Sequence, residues 1–171
     1  MIQEKIKSLT ALLPLIAEEK KRGKKIVFTN GCFDLLHAGH VEYLEEARKS
    51  GDLLVVGLNS DRSVRSIKGV SRPVNTQTAR AVVLAALEAV NYIVVFNETD
   101  PLELILEIKP DIVVKGGDWP VNRIVGAKEV KAYGGSVKAI PYVPGYSTTD
   151  LIEKIRNLEL GVSGGEREMV G

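Results

Sequence analysis

The chain has 171 residues, 44% hydrophobic and 26% charged, a balance that excludes a largely disordered chain and suits one domain burying about two-thirds of its unfolded surface. Lys plus Arg total 23 against 22 for Asp plus Glu, a net charge of +1, so no global basic field points to nucleic acid and any phosphate binding has to be local. One cysteine, Cys32, excludes an intrachain disulfide; the start MIQEKIKSLT lacks the apolar core of a secretory leader, and no apolar run approaches the ~18–20 residues of a membrane span. A cytoplasmic protein without membrane insertion is expected.

From the start, Ile2, Ile6, Leu9, Leu13 and Ile16 stand at helical spacing and Gly23 follows the charged run EEKKR. This predicts an N-terminal amphipathic helix over 1–23 that covers one face of the core or makes a dimer contact. Five short runs rich in Val and Ile then read as buried strands: KIVFTN (25–30), DLLVVGLN (52–59), NYIVVF (91–96), DIVVKG (111–116) and GSVKAIPY (135–142). Helical spacing predicts helices over 40–49, 76–89, 100–108, 122–133 and 148–157, while RSVRSIKGVSRP (62–73) reads as an exposed loop and 158–171 as a flexible tail. Strands alternating with helices predict an α/β fold: a Rossmann-like, mainly parallel five-stranded sheet with helices on both faces. In such sheets ligands bind beyond the carboxyl ends of the strands, so the loops that follow strands matter most.

The first of those loops is GCFDLLHAGH (31–40), which holds both histidines of the chain, His37 and His40. It lacks the G-x-G-x-x-G of dinucleotide binding and the G-K-S/T ending of a P-loop. The imidazoles stand where the chain turns into a helix, and there free N–H groups and the dipole favour an anion. Gly39 keeps that approach clear of side chains, and each histidine can donate a ring N–H to a phosphate oxygen. No cysteine is placed to complete a zinc set and Asp34 alone is a thin third ligand, so no protein metal site is expected. Near the other end, Ser147, Thr148 and Thr149 are good N-cap residues, and capping alone would explain them were the first motif absent.

Taken together, His37-Ala38-Gly39-His40 and GYSTTDLI (145–152) resemble the two nucleotide-binding motifs of the H-x-G-H nucleotidyltransferase superfamily, H-x-G-H and G-x-S-T-T. With GLNSD (57–61), IKG (67–69), SRPVN (71–75), LAALEAV (84–90) and VKGGD (114–118), the likeness narrows to the adenylyltransferase domain of the ADP-heptose synthesis enzymes and covers roughly residues 24–157. The resemblance implies transfer of AMP from ATP to a heptose 1-phosphate, a step toward the lipopolysaccharide core, with Mg²⁺ carried on the ATP and the sugar kinase on a separate protein. A homodimer is plausible in this family. Two departures are visible. Tyr142-Val143 stands where related cytidylyltransferases carry Arg-Thr, which makes a glycerol-phosphate cytidylyltransferase a poorer match, and NTQTAR differs from the usual acid-Gln-Arg ending.

The residue expectations follow from the motifs. His40 is assigned to the α-phosphate and His37 to the β- or γ-phosphate, with Lys68 and Arg72 closing over phosphates and Arg80, by resemblance, reaching one from its helix start. Gly31, Phe33, Asp34 and Gly39 belong to the nucleotide loop, Phe33 through backbone groups, Asp34 alternatively as a structural brace. Ser147, Thr148 and Thr149 form the second phosphate-accepting helix start. Lys115, Gly117 and Asp118, after the fourth predicted strand, are expected to serve nucleotide and sugar, and Trp119 either shields the acceptor or simply packs. Other small nucleotidyltransferases, including an FAD-forming adenylyltransferase, and a non-catalytic ATP-sensing module remain as alternatives.

Overall fold

Runs of β-branched residues closed by Gly, Asn or Pro set the sheet, and helices return the chain between them. The computed structural model describes residues 1–141 and 143–159. Among these, six strands form one sheet: β1 Ile6–Lys7, β2 Ile26–Gly31, β3 Leu53–Asn59, β4 Tyr92–Phe96, β5 Ile112–Gly116 and β6 Ser136–Ile140. Their order is β1-β4-β3-β2-β5-β6 and every neighbouring pair is parallel. The helices are α1 Ile2–Lys5, α2 Leu9–Lys21, α3 Ala38–Arg48, α4 Asp61–Lys68, α5 Gln77–Ala85, α6 Leu102–Ile108, α7 Ala127–Ala132 and α8 Thr148–Glu159.

The sheet is covered on both faces because successive strand residues point opposite ways. Ile26 and Phe28 pack with Leu12 and Ile16 of α2, Leu104 and Ile105 of α6 and Val130 of α7. Val27, between them, packs with Leu44 and Ala47 of α3 and Ala81 and Leu84 of α5. The N-terminal segment therefore contributes side chains to the core itself.

Five expectations need correcting. The sheet has six strands, not five, because Ile6 and Lys7 pair with Ile93 and Val94 along the outer edge of β4. That pairing also breaks the single helix expected over 1–23: the helix restarts at Ser8, whose side chain accepts from the Ala11 N–H at 3.2 Å. Residues 61–68 are helical rather than loop, started by Ser60, whose hydroxyl accepts from the Ser63 N–H. The helix read over 122–133 is a 3₁₀ turn, Val121–Arg123, followed by α7, because Gly126 holds a left-handed φ of 81° between them. The tail expected from 158 gives its first two residues to α8; the rest of it, and Tyr142 of the last predicted strand, lie outside the described residues.

Candidate active site

After the edge strand β1, the chain runs through β2 at the middle of the sheet, winds outward to β3 and β4, then crosses back to place β5 on the other flank of β2. This reversal is the switch point where an open parallel sheet binds its ligand. A cavity of ≈ 740 Å³ opens there, floored by Asn30 and Gly31 at the end of β2, Asn59 at the end of β3, and Lys115 and Gly116 at the end of β5.

Its first wall is the loop into α3. His37 is the N-cap of α3, and its Nδ1 accepts the His40 N–H at 3.3 Å. A neutral His37 therefore carries its proton on Nε2, which is left free to donate. The His37 and His40 rings stack with centroids 3.8 Å apart and planes 21° off parallel. Burial, with the neighbouring His37 adding to it, pushes His40 down to about 4, and burial lowers His37 as well. Both imidazoles are thus neutral near pH 7 and act as N–H donors rather than as cations. His40 Nδ1 is shielded and has no partner among the described residues, which leaves Nε2 as the ring atom able to meet a ligand.

Beneath the histidines, Phe33 lies 5.3 Å from His40, centroid to centroid, with a left-handed φ of 43°. A bulky residue in that region costs ~1–3 kcal/mol and persists only where its neighbours enforce it. Gly31 makes room for it: a Cβ there would lie 2.8 Å from the Phe33 ring. Asp34 is 3% exposed and accepts from the N–H groups of Val74 and Asn75 at 2.8 and 3.0 Å and from Arg72 Nε at 2.5 Å. Burial alone would raise its carboxyl, but the Asn75 and Val74 N–H groups and Arg72 outweigh it and hold the group below its ordinary range. The Asp34 carboxylate and Arg72 thus brace segment 72–75 against the loop, while both still line the cavity.

Arg80 differs from its expected place. It is 2% exposed, does not line the cavity, and donates to the carbonyls of Asn75, Cys32 and Asn59 and to Asp61. It sits under the loop and reaches no open space where a phosphate could stand. Gly117 is buried and Asp118 exposed, and neither lines the cavity; the Gly117 N–H instead donates to the Ile140 carbonyl. Lys68 and Lys115 do line it, Lys115 donating to Asn30 Oδ1 at 3.3 Å. Burial lowers Lys115, and nearby Lys68 adds to that, so the local positive field required by a near-neutral chain is concentrated here. Trp119 is 52% exposed. Burial raises the Cys32 thiol, which keeps it protonated and inert.

The second wall is the segment entering α8. Ser147, Thr148 and Thr149 all line the cavity, the Ser147 hydroxyl accepting the Asp150 N–H at 3.0 Å. Thr148 Oγ1 donates to the Leu35 carbonyl at 3.2 Å. Tyr146 stacks on His37 at 6.0 Å and presses on Gly39, where a Cβ would stand 2.9 Å from the Tyr146 Cβ. Two motifs more than 100 residues apart in sequence therefore face one another across a single cleft.

Sequence reasoning missed Asn30, Asn59, Tyr43, Ile67, Thr99 and Tyr146 in the lining. For Asn30 and Asn59 a signal existed, a polar residue closing an apolar strand. Tyr43 stands one turn after His40 on α3; its hydroxyl meets Thr29 Oγ1 at 2.6 Å and donates to the Val114 carbonyl. Among the described residues no cluster of three or more His, Cys, Asp or Glu is placed to hold a metal ion. Asp34 is already engaged by Arg72 and two N–H groups. No helix of the described residues is long and apolar enough to cross a membrane.

A parallel α/β sheet whose switch point gathers paired imidazoles, lysines and a hydroxyl-rich helix start is the architecture of a nucleotidyltransferase. The chain matches the cytidylyltransferase-like family over residues 28–154 and belongs to it. It is 56% identical over 152 residues to the bifunctional protein HldE of Geotalea uraniireducens, covering 89% of this chain and 31% of that protein. HldE of Geobacter sulfurreducens is 54% identical over 151 residues, 88% of this chain and 31% of the relative. The chain thus spans about a third of the length of these curated relatives. A lipopolysaccharide core biosynthesis protein from Thermoplasma volcanium superposes with a TM-score of 0.57 at 30% identity, covering 71% of this chain and 98% of that one. The pantoate-beta-alanine ligase of Francisella tularensis, at 16% identity and a TM-score of 0.59 over 96% of this chain and 81% of its own, shares the fold.

Proposed function

We propose that residues 24–157 transfer AMP from ATP to a heptose 1-phosphate, releasing ADP-heptose and pyrophosphate for the lipopolysaccharide core, in the cytoplasm, with a sugar kinase activity supplying the acceptor. The observation that carries this reading is the convergence of His37, His40 and the Ser147–Thr149 segment on one cavity in a chain so similar to HldE. In the reaction an oxygen of the sugar phosphate attacks the α-phosphorus of ATP, the bond from that phosphorus to the bridging oxygen breaks, and pyrophosphate leaves on the opposite side. No covalent enzyme intermediate is needed. The chain's task is to align two anions and to meet the charge that grows on the α-phosphoryl oxygens.

His40 Nε2 donates to the α-phosphate and His37 Nε2 to the β- or γ-phosphate. Being neutral, both give hydrogen bonds without tying the product pyrophosphate down as cations would. Lys68 and Lys115 supply the positive charge, Lys115 on the acceptor side. The Ser147, Thr148 and Thr149 helix start receives the outer phosphates, while Gly31, Phe33 and Gly39 keep the loop backbone close to the nucleotide. Mg²⁺ enters as part of the substrate, held chiefly by phosphates and water.

The test is pyrophosphate release over a grid of ATP or CTP against heptose 1-phosphate or glycerol 3-phosphate. Turnover confined to ATP with heptose 1-phosphate is expected. Turnover with CTP and glycerol 3-phosphate, and none with the heptose, overturns the reading. Nucleotide binding without turnover on any acceptor would instead reveal a sensing module.

A further inference from the structure

Arg80 is the fully buried charge that the proposed chemistry leaves without a task. Its side chain has no exposed surface, yet it donates to Asn75 O at 3.0 Å, Cys32 O at 2.5 Å, Asn59 O at 2.9 Å and Asp61 Oδ1 at 2.8 Å. Burying a guanidinium is rarely a gain in stability over apolar packing, so a role in fixing geometry is the better account of it. Within the loop that it grips, residues 31–40, the one non-glycine residue with a left-handed φ is Phe33. On the amino side of Phe33, Arg80 holds the Cys32 carbonyl; on the carboxyl side, Asp34 is held by Arg72, Val74 and Asn75. Pinned at both ends, Phe33 keeps its left-handed turn, its ring over Gly31 and against His40.

We propose that Arg80 is a positioning residue for His40, acting from beneath the cavity through the Cys32 carbonyl and the left-handed backbone of Phe33, without touching the nucleotide. With the Cys32 carbonyl released, Phe33 relaxes toward negative φ and its ring withdraws, and His40 loses the packing that aims it. The catalytic part of this inference rests on the function proposed above; the structural part does not.

The experiment uses the full chain carrying Arg80→Lys, Phe33→Ala and the two together. Because the chain has just two histidines, ring ¹H–¹³C spectra report each imidazole directly. Arg80→Lys is expected to move the His40 signals without ligand and to lower kcat about 10-fold or more, with KM for ATP changed less than about threefold. In the Phe33→Ala background, Arg80→Lys is expected to add less than about a twofold loss, since both act on one linkage. Unmoved His40 signals with KM for ATP raised about 10-fold, or losses that multiply in the double variant, overturn the proposal and place Arg80 on the nucleotide. If the wild-type chain turns over no acceptor, the function reading fails, and the spectra alone still decide whether Arg80 positions His40. Should Arg80→Lys not fold, Asp61→Asn loosens the same guanidinium, and a His40 shift of the same sign is expected; none overturns the proposal.

Discussion

The loop 31–40 rests on Arg80 and Asp34, whose side chains have 0% exposure, whereas the facing segment 143–150 lies at the surface, with Tyr146 47% exposed. The first wall is held by buried side chains and their hydrogen bonds; the second is joined to it through Thr148 on the Leu35 carbonyl and Tyr146 on His37. A reaction that stabilises charge at one phosphorus gains from donors already in place there. Holding the rest of a triphosphate asks only for a helix start that can be brought against it.

The contrast breaks most sharply at His40. His40→Ala is expected to lower kcat by about 10²–10³-fold, the usual loss for one transition-state donor, with the fold retained; near-wild-type pyrophosphate release would remove His40 from the chemistry. Next is Gly39→Ala, which drives a Cβ into Tyr146 and His37 Nδ1 and forces the walls apart. An increase of about 10-fold in KM for ATP is expected, largely reversed by a second change, Tyr146→Gly; failure of that rescue would mean that the walls do not press on each other. Third is a pH effect. Between the ordinary value of 6.5 and the folded value of about 4 for His40, the unfolded chain takes up a proton that the folded chain refuses. Its contribution to stability is complete above pH 6.5 and is lost as pH falls through that window. Urea unfolding at pH 7 and 4.5 should show the decline, and His40→Gln should make it shallower; an equal slope in both proteins would contradict the buried neutral imidazole. The smallest effect is expected at Thr148→Val, which gives up one hydrogen bond worth about 1 kcal/mol, or about fivefold in KM for ATP, while kcat is retained.

The alternation of β2, α3, β3, α5, β4, α6, β5, α7, β6 and α8 is legible because most of the strands are runs rich in Val, Ile and Leu and the helices carry apolar residues at helical spacing. What escaped had no such local mark. Ile6 and Lys7 sit within helical spacing, and only pairing with Ile93 and Val94 makes them a strand, a tertiary override of the local pattern. Segment 61–68 carries just Val64 and Ile67 as apolar residues in a charged helix, too few for a stripe, although Ser60 followed by Asp61 is a helix-start signal. At the site, the histidines and the S-T-T segment could be read because their residue types announce phosphate chemistry. Arg80 could not be placed: an arginine in the first turn of a helix looks alike from the sequence whether it faces solvent or lies beneath a neighbouring loop. Asp118 was read from its position after a strand, and the turn at Gly117 carries it away from the cleft.

The two-residue strand β1 shields the outer edge of β4, so residues 1–8 act as a guard rail. Stripped of them, Tyr92–Phe96, the sequence YIVVF, would present an uncapped apolar ribbon, the kind of template on which chains recruit one another into aggregates. Shortening the protein from its amino end should therefore show first as lost solubility during refolding, before any change in catalysis is seen.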